Sequence, residues 1–143
     1  MNKYKIIQDS VGLKRSFTIT VGLKEGYNSK NIILHDIEEL IVASLKWIQE
    51  RSVLCREFLP GMWKTAEMCY VHDEEQIQEP VALFSGDVNH LYNSDLEDWE
   101  AEKTLNELAS ILGSTTNQTR VYLTFCDKMW ILEKEGEYSG DNE

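Results

Sequence analysis

The sequence predicts an α+β fold of the ferredoxin-like type. In this β-α-β-β-α-β sandwich two helices cover one face of an antiparallel sheet, here with an additional N-terminal strand and a C-terminal hairpin. Three observations predict it: segments that alternate apolar and polar residues, two segments with apolar residues at helical spacing, and the order of these segments along the chain. Since this fold hosts enzymes, ligand sensors and adaptor modules, it does not by itself predict a function.

The first predicted strands lie near the N-terminus. Residues 3–9, KYKIIQD, are expected to form the additional short strand. Residues 16–23, SFTITVGL, are a clearer strand, because Phe17, Ile19 and Val21 alternate with small or polar residues. Residues 24–31 contain Gly, Asn and Ser and predict a loop.

The first predicted helix covers residues 36–51. Its apolar positions recur at helical spacing, and Asp36 followed three residues later by Glu39 is typical of a capping box. Pro60 and Gly61 then interrupt the chain. The helix is expected to bury one face against the sheet.

The second half of the chain completes the predicted order. Residues 63–72 and 80–88 are expected to form strands joined by the polar link 73–79, and a helix is expected from Ser94, capped with Glu97, to Gly113. Residues 120–125 and 129–134 predict the final hairpin. Residues 1–134 then form a single domain, and the acidic tail 135–143 is expected to be disordered.

The net charge of −11 over 143 residues is unevenly distributed. Residues 1–64 carry +3 and residues 65–143 carry −14. Direct nucleic-acid binding is not expected, because it requires basic side chains that displace counterions from phosphates. No apolar run reaches the length of a membrane span, no secretory signal is evident, and three scattered cysteines indicate a reducing compartment. We therefore expect a cytoplasmic protein without a membrane segment.

The sequence matches no catalytic, cofactor or metal template. Cys69 and His72 form C-x-x-H, but no second pair stands at zinc-site spacing, and positions three apart on a strand point to opposite faces. A calcium loop starting at Asp87 lacks the required glycine and third ligand. Neither a P-loop nor G-x-G-x-x-G occurs. We therefore predict no catalytic residues, no metal and no cofactor.

A run of acids, amides and aromatics, residues 85–105, is the candidate binding region. Part of its acidity is explained by a helix entry, where carboxylates interact favourably with the helix dipole. Trp99 lies on the apolar side with Leu96 and is expected to be buried; at an edge, between acids, it would suit a protein interface. The predicted binding residues are Asp87, Asn89, His90, Tyr92, Glu97, Asp98, Trp99, Glu100 and Glu102.

Three functional hypotheses follow. The leading one is a non-enzymatic intracellular binding module that presents its acidic surface to a protein partner with a basic face, as an inhibitor or nucleic-acid mimic of phage or mobile-element type. The alternative is an oligomeric, for example homodimeric, protein that binds a small ligand such as a nucleotide or anion. That ligand would lie between subunits or on the open sheet face, with cations and aromatics that include Lys24, Arg120, Tyr122, Tyr27 and Trp130. The third is a small enzyme in which His72, Asp73, Asp87 and His90 converge.

Overall fold

The computed structural model describes residues 2–25 and 32–136. The strands are β1 (Ser16–Gly22), β2 (Lys24–Glu25), β3 (Ile33–Leu34), β4 (Met62–His72), β5 (Glu75–Asp87), β6 (Arg120–Phe125) and β7 (Lys128–Glu133), and the helices are α1 (Ile37–Val53) and α2 (Asp98–Thr115). Five strands form one sheet in the order β4-β5-β1-β6-β7, with every neighbouring pair antiparallel. The α+β prediction is therefore confirmed.

The core lies between the two helices and one face of the sheet. Alternation along β1 turns Phe17, Ile19 and Val21 inward, and Ile19 pairs with Phe84 on one neighbouring strand and Leu123 on the other. Burial of each such side chain contributes about 1.5–3 kcal/mol relative to exposure. The opposite face of the same strand, beginning with Thr18 and Thr20, is thereby turned away from the helices.

Helix α1 begins where the sequence predicts. Asp36 Oδ1 accepts from the Glu38 amide at 3.1 Å, and the Asp36 amide donates to Glu39 Oε2 at 2.9 Å, so that the capping box is confirmed. The helix contacts β4 through Trp63, whose indole donates to the Ser44 hydroxyl at 3.0 Å. This hydrogen bond satisfies a polar group at the helix–sheet interface.

Helix α2 begins and ends later than predicted. Its N-cap is Glu97, whose amide donates to the Glu100 carboxylate at 3.0 Å, so the predicted cap at Ser94 is wrong. In an acid-rich segment several residues suit a cap, and the turn preceding the helix selects among them. The predicted helix end at Gly113 is also wrong, since α2 continues to Thr115 and Gly113 is buried against Val121.

Two further predictions are wrong. Residues 3–9 form no strand; the described part of this segment carries only a short 3₁₀ turn at Gln8–Ser10. The link 73–79 is mostly strand, because Asp73 and Glu74 form a two-residue turn with φ of 50° and 66° and β5 begins directly at Glu75. Acidic residues and glutamine have low strand propensity, which concealed this strand, whereas cross-strand pairing stabilises it.

Some predictions fall on residues that lie outside the described ranges. Residues 26–31 fall within the loop predicted for 24–31 and lie outside the described residues, as do residues 137–143 of the predicted acidic tail. Lys24 and Glu25 themselves pair with Leu34 and Ile33 in a small two-stranded sheet. In the parts of the chain that are described, no helix has the length and apolar character needed to cross a membrane.

Candidate functional site

The face of the sheet turned away from the helices carries hydroxyl, aromatic and apolar side chains. We call this the outer face; it includes Thr18, Thr20 and Gly22 of β1. Tyr122 pairs with Thr20, and Ile131 of β7 pairs with Tyr122. Ile131 is 52% exposed. Such an open surface is available to a ligand or to another protein surface.

A cleft lies at one end of this outer face. We call it the sheet cleft; it encloses about 120 Å³ between β1, β4, β5, β6 and the residues around 117–119. Its walls combine cations, an acid, amides and aromatic rings. The lining residues are Thr20, Gly22, Lys24, Met68, Tyr70, Glu79, Pro80, Val81, Asn117, Gln118, Thr119, Arg120 and Tyr122.

A carboxylate and a phenol form one wall of the sheet cleft. The pairing of β4 with β5 sets Met68 opposite Glu79, which brings the neighbouring outer-face residue Tyr70 within reach of the same carboxylate. The Tyr70 hydroxyl donates to Glu79 Oε1 at 2.5 Å, and Lys24 Nζ lies 3.6 Å from Glu79 Oε2. The Glu79 side chain is 15% exposed, so its charge is partly shielded from water.

An amide from the loop after α2 forms the floor of the cleft. Gln118 Nε2 donates to the carbonyls of Lys24 at 3.0 Å and Thr116 at 3.1 Å. The side chain lies directly over Gly22, where a Cβ would come within 2.1 Å of Gln118 Oε1. Glycine at this strand position therefore makes room for the amide.

A histidine between two acids is linked to the cleft residue Asn117 through Glu25. His35 Nε2 lies 2.9 Å from Glu25 and its Nδ1 lies 3.0 Å from Glu39. These hydrogen bonds raise the pKa of His35, with the bond to Glu25 contributing most. Asn117 of the cleft donates to Glu25, and this bond is the main reason that the pKa of Glu25 is lowered. The network links α1, the small sheet and the cleft rim.

The sequence-predicted site divides into two groups, and the first lies at the far end of β5. Asp87 Oδ1 accepts from the Ser16 hydroxyl at 2.5 Å, and Asn89 binds the Leu91 amide and the Ser10 carbonyl. His90 lies against Gly12 and is exposed. Asp87 is eight residues from Glu79 along β5, about 26 Å at 3.3 Å per residue, so this group and the sheet cleft are separate.

The second group surrounds the start of α2. Arg15 Nη2 lies 2.5 Å from Asp98, and Lys128 Nζ lies 2.9 Å from Glu102, so part of the acidity is paired with cations. Glu97 and Glu100 form the helix cap. Trp99 is 63% exposed and the expectation that it is buried is wrong; Tyr92 is 76% exposed. A binding role for both groups stays a prediction.

The small-enzyme hypothesis is wrong in its geometry. His72 and Asp73 lie at the tip of the β4–β5 hairpin, where His72 pairs with Glu75. Asp87 is twelve residues further along β5, about 40 Å away, and His90 follows it. The four side chains do not meet in one cavity. Among the described residues no group of three His, Cys, Asp or Glu side chains is arranged to hold a metal ion.

A larger concavity of about 930 Å³ lies between the C-terminal part of α1 and the middle of α2. Its lining comes from the surfaces of two helices and contains one charge pair, with Arg51 Nη1 2.6 Å from Glu107 Oε2. Ligand sites combine apolar walls with polar groups that converge on the ligand. The sheet cleft, with its acid, phenol and amide, fits this description better than the larger groove.

Sequence reasoning found only part of the cleft. Lys24, Arg120 and Tyr122, which it assigned to the open sheet face, do line the cleft. Trp130 instead faces α2, where its indole donates to Asn106, and Tyr27 lies outside the described residues. The sequence analysis misses Tyr70, Glu79 and Gln118. The first two meet through the register of β4 and β5, and Glu79 falls in a predicted loop, whereas Gln118 lies after α2 and reaches the cleft through its side chain.

The fold is shared with two solved structures. One is a phage SAM lyase in the apo state, with a TM-score of 0.62 and 14% identity over 85% of this chain and 90% of that one. The other is a phage SAM lyase in complex with S-methyl-5′-thioadenosine, with a TM-score of 0.65 and 15% identity over 92% of this chain and 98% of that one. No family model and no curated protein sequence matches the chain.

These structures contradict the leading functional hypothesis. A non-enzymatic inhibitor or nucleic-acid mimic was inferred from acidic charge and from the failure of catalytic templates. Both similar folds instead belong to enzymes, and one of them contains a small ligand. The alternative hypothesis of a small-ligand-binding protein agrees better with this finding. The error arose because reliance on known motifs overlooks a site built from strand register.

Proposed function

We propose that the chain binds S-methyl-5′-thioadenosine and SAM in the sheet cleft, and that it cleaves SAM as a lyase. The observation that carries the proposal is the match over 92% of the chain to a SAM lyase bound to S-methyl-5′-thioadenosine. Within this fold, the sheet cleft is the concavity whose polar groups suit such a ligand. It offers aromatic faces for a base, amides for base edges and a carboxylate for a cation.

The charge of SAM fits the wall formed by Glu79. SAM carries a positive sulfonium, whereas S-methyl-5′-thioadenosine contains a neutral thioether. The carboxylate of Glu79 shares its charge with Lys24, 3.6 Å away, and in its partly shielded position it also attracts the sulfonium, to which the rings of Tyr70 and Tyr122 add a cation–π contribution. The balanced step is a cyclisation, in which the carboxylate oxygen of the amino-acid part of SAM forms a bond to the carbon attached to sulfur and closes a lactone. The electron pair of the broken carbon–sulfur bond goes to the sulfur, which becomes neutral, and this attraction is lost. Glu79 therefore orients the substrate and favours release of the product.

The size of the cleft supports an oligomer. Ligand pockets usually measure about 300–1,000 Å³ and enclose most of the ligand. At about 120 Å³ the sheet cleft encloses only part of a nucleoside, so the remainder would extend over the outer face. A second copy that covers Met129 and Ile131, which are 77% and 52% exposed, would complete the site. We therefore retain the homodimer as part of the proposal.

The connections support a ferredoxin-like classification. Helix α1 connects β1 to β4 with β5 between them, and α2 connects β5 to β6 with β1 between them. Two such split βαβ units are what the ferredoxin-like fold requires. In this proposal residues 1–134 form one domain and β7 extends the sheet at its edge. The ligand is carried by the end of β1 with β2, residues 22–25, together with residues 116–119 after α2.

The direct experiment incubates the purified protein with SAM and measures the release of S-methyl-5′-thioadenosine by chromatography. Release is expected from the wild type and is expected to fall by at least about tenfold in Glu79→Gln, since one charged contact is lost. Glu67→Gln is the matched control, because Glu67 is on the opposite face of β4. No release and no binding of S-methyl-5′-thioadenosine by the wild type would contradict the proposal.

A further inference from the structure

The orientation of the Gln118 amide is set by two carbonyl groups. Its Nε2 donates to the carbonyls of Lys24 and Thr116, and carbonyl oxygens only accept hydrogen bonds. The NH₂ end of the amide must therefore face these two groups. The carbonyl end, Oε1, is consequently turned the other way, over the outer face of the sheet.

Gly22 fixes where this oxygen lies. A Cβ at Gly22 would point to the outer face, as do the side chains of Thr18 and Thr20, and it would come within 2.1 Å of Gln118 Oε1. The oxygen therefore lies against the backbone of β1, on the floor of the sheet cleft. No donor within residues 2–25 or 32–136 forms a hydrogen bond to it. An oriented acceptor in a cleft is a recognition group for a ligand donor.

We infer that Gln118 is a specificity-determining residue whose Oε1 accepts a hydrogen bond from the exocyclic amino group of an adenine. This inference rests on the proposed function. Adenine carries an NH₂ donor at the position where hypoxanthine carries an oxygen acceptor. An adenine would satisfy Oε1, whereas a hypoxanthine would place two acceptors against each other. The two carbonyls orient the Gln118 amide so that its oxygen faces the ligand, and this oxygen favours a base with an amino group.

The test compares two probes, S-methyl-5′-thioadenosine and S-methyl-5′-thioinosine, by calorimetric binding. The wild type is expected to bind the adenosine probe about 10–100-fold more tightly, the factor associated with an unpaired polar group. Gln118→Met removes the acceptor, and Gly22→Ala displaces it while it retains the glutamine. Both variants are expected to lose most of this preference. Thermal melting confirms that each variant is folded.

The outcomes separate the inference from the proposed function. Loss of preference in both variants, with the inosine probe bound at least as tightly as in the wild type, supports the role of Gln118. A wild type that binds the adenosine probe but discriminates no better than Gln118→Met overturns this inference and leaves the proposed function intact. A wild type that binds neither probe overturns both. Gln78→Met, the same substitution on the opposite face of β5 from Glu79, is the control and is expected to keep the preference.

Discussion

The imidazole of His35 is held 2.9 Å from the carboxylate of Glu25, with Glu39 at 3.0 Å on its other nitrogen. The pKa of His35 is raised by these hydrogen bonds, that to Glu25 first. The pKa of Glu25 is lowered chiefly by Asn117, and that of Glu39 chiefly by the Asp36 amide. The imidazole therefore joins the small sheet to α1 through hydrogen bonds on both of its nitrogens.

The first prediction concerns the pH dependence of stability. A histidine with a raised pKa contributes stability that is fully present below its unfolded pKa of about 6.5 and is lost as the pH rises through the folded value. The carboxylates of Glu25 and Glu39 act in the opposite sense: their contribution is present above an unfolded pKa of 4.5 and is lost as the pH falls through their lowered folded pKa. We therefore expect the Tm of the wild type to fall from pH 6 to pH 8.5 more than that of His35→Gln. Equal slopes in the two proteins would contradict this assignment.

The second prediction concerns the buried cation Arg51. Its side chain is 8% exposed, and its guanidinium lies 2.6 Å from Glu107 and 5.2 Å from the ring centroid of Trp47. Glu107→Gln leaves the charge without its counter-ion, and we expect a loss of about 1–3 kcal/mol in unfolding free energy. The control is Glu133→Gln, whose pair with Arg120 is about half exposed and is expected to contribute less than about 1 kcal/mol. Equal losses of unfolding free energy for the two variants, measured by urea unfolding, would show that the burial of Arg51 does not strengthen its pair with Glu107.

The sequence predicted the elements whose signals are local. Alternation in 16–23 and the Asp36–Glu39 cap need no information from elsewhere in the chain, and both are observed. The predicted starts of β5 and α2 were wrong, because where these elements begin depends on contacts with residues elsewhere in the chain. Glu75 is in a strand because it pairs with His72 on β4. The N-cap of α2 is Glu97 and not Ser94, since the turn that buries Leu96 comes between Ser94 and the helix.

The candidate site depended even more on tertiary structure. The acids in residues 85–105 led to the prediction of a binding region there, because they are close together in the sequence. The sheet cleft instead combines Lys24, Tyr70, Glu79 and Gln118, which are distant in sequence and no two of which form a motif. Only the strand register that places Tyr70 beside Glu79 reveals the pair. A single sequence contains no local signal of that register.

The third prediction concerns the tip of the β4–β5 hairpin. Asp73 and Glu74 both have positive φ, a conformation that costs a residue with a side chain about 1–2 kcal/mol and suits glycine. Glu74→Gly is therefore expected to raise the unfolding free energy by about 0.5–1 kcal/mol, despite the greater freedom of glycine in the unfolded chain. Glu67→Gly in the middle of β4 is the control and is expected to destabilise. A destabilising Glu74→Gly, measured by urea unfolding, would contradict the turn geometry.

The fourth prediction sets helix propensity against packing at Gly113. Glycine inside a helix is less favourable than alanine by about 1 kcal/mol, so propensity alone predicts that Gly113→Ala stabilises the protein. A Cβ there would lie 2.6 Å from Val121 Cγ2, and valine is a stiff side chain on β6. Overpacking of this kind costs about 1–3 kcal/mol, so we expect net destabilisation. The double variant Gly113→Ala with Val121→Ala removes the clash and isolates the coupling between the two sites. Additive effects of the two substitutions would show that α2 and β6 do not meet at this contact.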